Sequence, residues 1–182
     1  MFRRFATLTS AALISTFALV AYAGGGLKRI DTPDVKFHAT GPFGMKIDGA
    51  MNNLSVSEEG DKLVLKVDLA NLKSGNDTRD EHFQGYLKQK VAKLEIAKSA
   101  ITFPGDKEEK GGEAKGKFTL NGKSDNDFKV KYKAKRTGSD YHVQGLATIT
   151  LAKHDLKLCK LGDTICVGDT VDLKVKFKLR QE

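Results

Sequence analysis

Apolar and basic residues alternate most clearly in the stretch Phe128-Lys129-Val130-Lys131-Tyr132-Lys133-Ala134-Lys135. The alternation returns near the C-terminus in Val171-Asp172-Leu173-Lys174-Val175-Lys176-Phe177-Lys178-Leu179. Successive side chains of a β-strand point to opposite faces, so each stretch predicts a strand with one apolar face and one lysine face. Lysines placed this way also discourage pairing between the edges of two molecules.

Weaker alternation divides the rest of the chain into further strands, separated by turn residues such as Asn121-Gly122 and Thr137-Gly138. Their apolar members include Val35, Phe37, Ala39, Phe43, Met45, Ile47, Leu63, Leu65, Val67, Ile96, Phe103, Phe118, Leu120, Tyr141, Val143 and Ile149. We expect an all-β fold of about eight antiparallel strands, closed into a barrel that either packs solid or encloses one small ligand. The strand near Ile96 is expected to reach Phe103, and the charged, glycine-rich stretch 105–116 is predicted to be the most flexible loop.

One segment has the spacing of a helix instead. Between Thr78 and about Lys93, apolar residues recur three or four positions apart, at Phe83, Leu87, Val91 and Leu94. Thr78 can cap the first turn. The acidic pair Asp80-Glu81 lies in that turn, where negative charge interacts favourably with the positive end of the helix dipole. The sequence therefore predicts one helix on an otherwise all-β chain.

The N-terminus has the pattern of an export signal. Two arginines, Arg3 and Arg4, precede an apolar stretch at 11–20 that ends in Ala21-Tyr22-Ala23. This predicts a cleaved signal peptide at 1–23 and a single periplasmic domain at 24–182, with a retained membrane anchor as the alternative.

The predicted mature chain is basic. The full-chain charge of +8 includes Arg3 and Arg4, so 29 basic and 23 acidic side chains remain, a net charge of +6. A basic balance suits nucleic acid, anionic lipid or a solvated lysine face. Export argues against nucleic acid, and the even spread of lysines over several strands favours the solvated face.

Two cysteines, Cys159 and Cys166, enclose six residues that contain the turn pair Gly162-Asp163. In an oxidising compartment this spacing predicts a disulfide that closes a hairpin or loop. Redox catalysis normally uses Cys-x-x-Cys, and a metal site needs more ligands than two thiols, so neither alternative is favoured.

Several segments, taken in order, resemble the YceI family of periplasmic, lipocalin-like polyisoprenoid-binding proteins. The most specific is Arg79-Asp80-Glu81-His82-Phe83, which follows Val67-Asp68-Leu69-Ala70-Asn71-Leu72-Lys73-Ser74-Gly75-Asn76. The others are Val35-Lys36-Phe37 with Gly49, Ile101-Thr102-Phe103, Gly116-Lys117-Phe118-Thr119-Leu120-Asn121-Gly122 and Val167-Gly168-Asp169-Thr170-Val171-Asp172-Leu173. The resemblance implies an eight-stranded lipocalin-like barrel with a helix near its mouth, binding a long isoprenoid or similar amphiphilic lipid.

The chain departs from the family pattern in three places that could border a pocket. Thr40-Gly41-Pro42-Phe43-Gly44 stands where family members commonly carry a Lys-His-Leu-Gly-like segment. The usual Tyr-Pro is missing around 93–96, and an Arg-x-Asp-Phe-Gly-like stretch appears as Lys153-His154-Asp155-Leu156-Lys157. The identity of the ligand is therefore not inherited with the resemblance.

The inward faces predict an apolar ligand site. Aromatic residues would line a dry tunnel and methionine would adapt to flexible tails, although the same side chains could simply fill an ordinary core. The candidate ligand-binding residues are Phe37, Phe43, Met45, Phe83, Leu87, Phe103, Phe118, Phe128, Tyr132 and Phe177.

The tightest polar constellation lies on the predicted helix. Arg79 and His82 are three residues apart and could meet a phosphate or carboxylate head group, or Arg79 could tie the helix to a neighbouring strand. The other histidines, His38, His142 and His154, are isolated, so no metal site is predicted. No motif for nucleophilic or acid–base catalysis is evident.

These observations predict a periplasmic carrier of an amphiphilic lipid, with no catalytic residues and no cofactor beyond the bound lipid. The alternatives are a basic accessory module that uses its outer surface and a lipid-modifying enzyme built on 79–82. A transient contact with a membrane surface and a homodimer are further expectations, and a nucleic-acid partner is not expected.

Overall fold

The computed structural model describes residues 26–160 and 165–182, so the predicted signal peptide at 1–23 lies outside the described residues. Twelve strands and one α-helix are found there. The strands are β1 (Leu27–Arg29), β2 (Asp34–Thr40), β3 (Lys46–Met51), β4 (Ser55–Glu59), β5 (Lys62–Asp68), β6 (Val91–Ala97), β7 (Glu109–Leu120), β8 (Lys123–Thr137), β9 (Asp140–Thr150), β10 (Cys159–Lys160), β11 (Ile165–Cys166) and β12 (Thr170–Gln181). The helix, α1, spans Asp77–Tyr86.

Ten of these strands form one antiparallel sheet in the order β3-β2-β12-β9-β8-β7-β6-β5-β4, and β1 pairs with β12 beside β2. The C-terminal strand β12 therefore lies in the middle of the sheet, between β2 and β9. Sequence neighbours from β7 to β9 are joined by tight hairpins, and Asn121 and Gly122 at the β7–β8 turn both have positive φ, as their residue types favour.

The alternation that predicted strand β8 is present in the structure. Phe128 and Ala134 are buried on the inner face, whereas Lys129 and Lys133 are exposed on the outer face. Strand β12 repeats the pattern, with Phe177 buried between exposed lysines. The predicted all-β class with a single helix is confirmed.

The sheet curls into a half-barrel whose two edges are joined by few hydrogen bonds. At one end, the Leu27 backbone N–H on β1 donates to the Glu58 carboxylate on β4 at 2.9 Å. At the β3 edge, Ala50 and Lys73 exchange backbone hydrogen bonds of 2.9 and 3.3 Å. The expected count of about eight strands is too low. Strands as short as β1, β10 and β11 contain too few residues to show a recognisable alternation.

The helix begins and ends earlier than predicted. Asn76, not Thr78, is the N-cap, and its side-chain oxygen accepts the Arg79 backbone N–H at 2.9 Å. Leu87 has extended backbone angles and ends the helix, and Val91 begins β6. The helix does not continue along the predicted segment because residues 91–97 pair with β5. Their backbone hydrogen bonds therefore run between strands and not along a helix.

Most of the stretch predicted to be a flexible loop, residues 109–116, belongs to β7, and only 105–108 precede the strand. Glycines permit close packing there: a Cβ on Gly116 would lie 2.5 Å from the Glu95 carbonyl oxygen on the neighbouring strand. The strand expected to extend from Ile96 to Phe103 ends instead at Ala97, where a short 3₁₀ turn follows.

The predicted disulfide is present in the structure. Cys159 and Cys166 face each other across the short β10–β11 hairpin, with their Cα atoms 4.0 Å apart. The Tyr86 hydroxyl at the end of α1 donates to the Cys159 carbonyl oxygen, so the helix and the hairpin are held together.

Candidate ligand-binding cavity

The inner face of the half-barrel encloses a cavity of about 260 Å³. Its wall is almost entirely apolar and takes side chains from most strands of the sheet. The lining includes Phe37, Ala39, Ile47, Leu65, Val67, Ser74, Arg79, Asp80, Phe83, Leu94, Phe103, Phe118, Phe128, Val130, Tyr132, Val143, Gly145, Leu173, Val175 and Phe177.

One end of this inner face is filled by its own side chains, a region that we name the packed corner. Phe118 and Phe128 stack with ring centroids 4.5 Å apart, and the His154 ring meets the Phe118 ring edge-on at 5.2 Å. The members of the packed corner, each at most 5% exposed, are Phe118, Leu120, Phe128, Leu151, His154 and Leu156.

Polar groups inside the packed corner are hydrogen-bonded. Buried Asn121 donates to the His154 carbonyl oxygen at 3.2 Å and accepts the Lys88 backbone N–H at 2.6 Å. The His154 ring Nδ1 donates to the Lys123 carbonyl oxygen at 3.0 Å. This region therefore satisfies its polar atoms internally, as a stable core requires.

A second part of the inner face is less tightly covered, and we name it the open wall. Its eight members line the cavity and are only partly buried: Phe37, Leu65, Val67, Leu94, Val130, Val143, Leu173 and Val175. Partly exposed apolar side chains on the inside of a curled sheet leave room for a guest, in contrast to the packed corner.

Two inward glycines near the open wall, Gly49 and Gly145, have different surroundings. A Cβ on Gly49 would lie 2.2 Å from the Phe37 ring and 2.5 Å from the Lys73 carbonyl oxygen, so glycine allows this ring to lie against β3. A Cβ on Gly145 would meet only Val130, at 3.6 Å, which is ordinary van der Waals contact. Gly145 is therefore a place where a larger side chain would enter the cavity.

A compact polar cluster borders the cavity at the start of α1. The Asp80 carboxylate is 7% exposed and accepts hydrogen bonds from the backbone N–H and hydroxyl of Ser74, the former at 3.0 Å. Arg79 donates from Nε to the Ser74 hydroxyl at 2.8 Å and from Nη2 to the Ser74 carbonyl oxygen at 2.6 Å. Ser74 thus joins both charged side chains, a role that the sequence did not reveal.

The predicted ligand residues mostly reach the cavity wall. Seven of them line it: Phe37, Phe83, Phe103, Phe118, Phe128, Tyr132 and Phe177. Leu87 packs against the hydrophobic core but is not among the lining residues. Of the two head-group candidates, Arg79 borders the cavity, whereas His82 is exposed on the helix and is not brought to it.

The inward orientation predicted for Phe43 and Met45 is wrong. Both lie in the tight β2–β3 connection, where Phe43 is 98% exposed and Met45 is 54% exposed. Phe43 has a positive φ of 58°, so the strand alternation assumed for this segment is interrupted by a turn.

The outer face carries the lysines, and part of their charge is neutralised across strands. Lys129 pairs with Glu113 at 3.3 Å and Lys133 pairs with Glu109 at 3.6 Å. Beside the packed corner, the Lys153 ammonium donates to the Asp125 carboxylate at 2.8 Å and holds the pKa of that carboxyl below its ordinary value.

The described residues contain neither a metal-binding cluster nor a membrane-spanning helix. Across 26–160 and 165–182, no group of three His, Cys, Asp or Glu side chains is arranged to hold a metal ion. Within the same ranges, no helix has the length and apolarity needed to cross a membrane.

The fold and its apolar cavity define a lipocalin-like half-barrel, and comparison with known families agrees. The family model described as "YceI-like domain" matches residues 30–179. The chain therefore belongs to the YceI-like family. A comparison with curated proteins finds no match.

Solved structures share this fold at low sequence identity. A polyisoprenoid binding domain from Saccharophagus degradans implicated in plant cell wall breakdown aligns with a TM-score of 0.69 and 14% identity, covering 86% of this chain and 98% of that chain. BcnA of Burkholderia cenocepacia aligns with a TM-score of 0.60 and 18% identity, covering 80% of this chain and 95% of that chain. A mutant CJ YceI protein aligns with a TM-score of 0.52 and 11% identity, covering 100% of this chain and 92% of that chain.

Proposed function

We propose that this chain is a periplasmic binding protein that holds the apolar tail of a polyisoprenoid or similar amphiphilic lipid, without transforming it. The observation that carries the proposal is the apolar cavity of about 260 Å³ behind the open wall. Such a wall offers water few hydrogen-bond partners, whereas a hydrocarbon guest would gain contacts with every side chain that lines it.

The cavity is large enough for part of a long ligand but not for all of it. Ligand pockets commonly measure about 300–1,000 Å³, and this one is slightly smaller. A long isoprenoid chain would therefore place a few of its units inside, and the rest would pass out of the half-barrel. The similar fold of the Saccharophagus degradans domain, described as polyisoprenoid binding, is consistent with this type of ligand.

Arg79 is the side chain best placed to meet a polar head group. A guanidinium carries five N–H donors, more than its two hydrogen bonds to Ser74 use. Those bonds fix its orientation at the cavity border, which favours recognition of a phosphate or carboxylate. Asp80 is engaged by the same serine, and in this proposal it positions the loop rather than acting as an acid or base.

The disulfide supports the compartment in the proposal, because such bonds persist mainly in oxidising environments. Export through cleavage at 1–23 remains a prediction from the sequence. N-terminal sequencing of the protein purified from the periplasm tests it, and a mature chain that begins at Gly24 is the expected result.

Mass spectrometry of an organic extract of the purified protein tests the ligand. We expect a lipid with a long apolar chain at a stoichiometry near one per protein. The matched control is Gly145→Leu, whose side chain would occupy the cavity and should reduce the extracted lipid at least tenfold. An extract free of lipid in both proteins would contradict the proposal, and so would equal amounts of lipid in both.

A further inference from the structure

The connection between β2 and β3 carries the two most exposed large hydrophobic side chains of the described residues. This rim tip, residues 42–45, carries Phe43 at 98% exposure and Met45 at 54%. Isolated exposed apolar residues are common, but an aromatic ring with almost no protein contact is unfavourable in water.

The backbone holds the rim tip rigidly in this exposed arrangement. The Gly41 N–H donates to the Met45 carbonyl oxygen at 2.6 Å, and the Met45 N–H donates to the Pro42 carbonyl oxygen at 3.2 Å. Phe43 adopts a left-handed φ of 58°, a region that disfavours any residue with a Cβ. Exposure and backbone strain therefore coincide at one residue, a combination often found where function maintains it.

The rim tip stands at the end of the cavity wall. Ala39 and Ile47, the inward residues on either side of it, both line the cavity. A Cβ on Gly41 would lie 3.0 Å from the Ile47 side chain, so the base of the tip rests on that wall. The Thr40 carbonyl oxygen also accepts the Gly168 N–H at 2.7 Å, which ties the tip to the segment that follows the disulfide hairpin.

We propose that the rim tip inserts into the surface of a lipid bilayer and brings the cavity to its ligand. A phenylalanine buries roughly 150–250 Å², whereas a stable protein interface buries about 800 Å² on each partner. The tip by itself is therefore much smaller than a protein interface and has the size of an interfacial anchor. Exposed Lys46 directly follows the tip, so anionic head groups would add electrostatic attraction.

This inference rests on the proposed lipid-binding function, and it adds the source of the ligand and the element that reaches it. The two are separable by experiment, because uptake of a soluble apolar dye requires only the cavity, whereas binding to ligand-free vesicles requires only the tip.

The absence of tryptophan from the chain makes the test site-specific. Phe43→Trp introduces a single tryptophan at the tip, and its emission should shift to shorter wavelength with vesicles of phosphatidylcholine containing 30% phosphatidylglycerol. Ile30→Trp is the matched control, because Ile30 is also partly exposed but its N–H bonds to Lys178. Lys178 lies seven residues along β12 from the partner of Ala39, or about 24 Å from the base of the tip.

A second variant separates anchoring from folding. Phe43→Gly removes the ring and relieves the left-handed strain, so we expect at least fivefold weaker binding to the same vesicles and a melting temperature about 2–4 °C higher. Dye uptake in vesicle-free solution should be unchanged. Vesicles of phosphatidylcholine alone should bind wild-type protein more weakly than the anionic ones.

Three results would overturn the inference. The first is equal vesicle binding by wild type and Phe43→Gly, and the second is no vesicle binding by wild type. The third is a blue shift of Phe43→Trp that grows with protein concentration in the absence of vesicles, because it would assign the tip to a contact with a second copy of the chain. Absence of dye uptake by wild type would instead contradict the proposed function. The vesicle experiment would still report whether the tip binds a membrane.

Discussion

The packed corner and the open wall arise from the same alternation of residues on the same curled sheet, yet one is filled and the other leaves space. In the packed corner, aromatic rings lie opposite each other and His154 completes the contact. On the open wall, four of the eight members are valines, and Gly145 lies beside Val130. We infer that small side chains at some of the inward positions leave the space, because the strand pattern itself is the same in both regions.

The two regions also differ in how they would respond to truncation. Phe118 and Phe128 also reach the cavity wall, but a ring stacked on its neighbours loses more contacts when it is shortened than a partly exposed side chain does.

Phe128→Ala should have the largest effect, because it removes a ring that is 5% exposed and stacked on Phe118. We expect a loss of about 3–5 kcal/mol in the free energy of unfolding, measured by chemical denaturation. Phe37→Ala, which removes the same ring from a partly exposed position on the open wall, is the control and should lose clearly less. Equal losses at the two sites would mean that the open wall is packed as tightly as the corner.

Asn121→Ala should rank second, since Asn121 is 4% exposed and hydrogen-bonds to both Lys88 and the His154 carbonyl oxygen. Loss of these bonds and an unfavourable φ of 52° for alanine should lower the free energy of unfolding by about 2–3 kcal/mol. Asn121→Gly tolerates the same φ and should lose less. Identical losses for the two variants would remove the backbone contribution from this account.

Gly145→Leu tests the space directly in ligand-free protein. Because a Cβ there meets only Val130 at 3.6 Å, the variant should change the free energy of unfolding by about 1 kcal/mol or less. Gly49→Ala, whose Cβ would lie 2.2 Å from the Phe37 ring, should be clearly less stable despite the smaller change in size. A severe loss for Gly145→Leu would indicate that the cavity is closed in solution.

The smallest effect is expected at the edge of the packed corner, where Lys153 lowers the pKa of Asp125. A lowered pKa in the folded state contributes stability above the ordinary carboxyl range, and that stability is lost as the pH falls through the folded-state pKa. Lys153→Met should therefore lower the free energy of unfolding by about 0.5 kcal/mol at pH 6. The difference from wild type should shrink as the pH falls below the ordinary carboxyl range, and a difference that does not change with pH would assign the effect to packing by the lysine stem.

Much of the fold could be predicted from the sequence because long strands repeat their pattern many times. Strands β8 and β12 display alternation over several residue pairs, so their facing was predicted correctly. The helix was predicted too long because spacing alone cannot show that β5 pairs with Val91 and the residues after it. The sequence predicts a loop for the glycine-rich stretch before Phe118. Gly116 is needed there because β6 lies close to it, and that contact depends on tertiary structure.

The candidate site was predicted less completely, for reasons of residue size and local turns. Attention to aromatic residues identified Phe37 and Tyr132 but not the small residues that leave the space, such as Gly145. The sequence predicts an inward Phe43 because the alternation of Phe43, Met45 and Ile47 is expected to begin directly after the Gly41-Pro42 turn, whereas the turn continues to Met45. Ser74 was missed because its importance comes from two charged neighbours that the fold brings to it.

Titration of delipidated protein with a fluorescent isoprenoid analogue is the most direct test of the open wall as a guest chamber. The account predicts saturable binding of one analogue per chain, competition by the extracted native lipid, and at least tenfold weaker binding to Gly145→Leu. Non-saturable uptake, or equal affinity for wild type and Gly145→Leu, would show that the guest does not occupy this cavity.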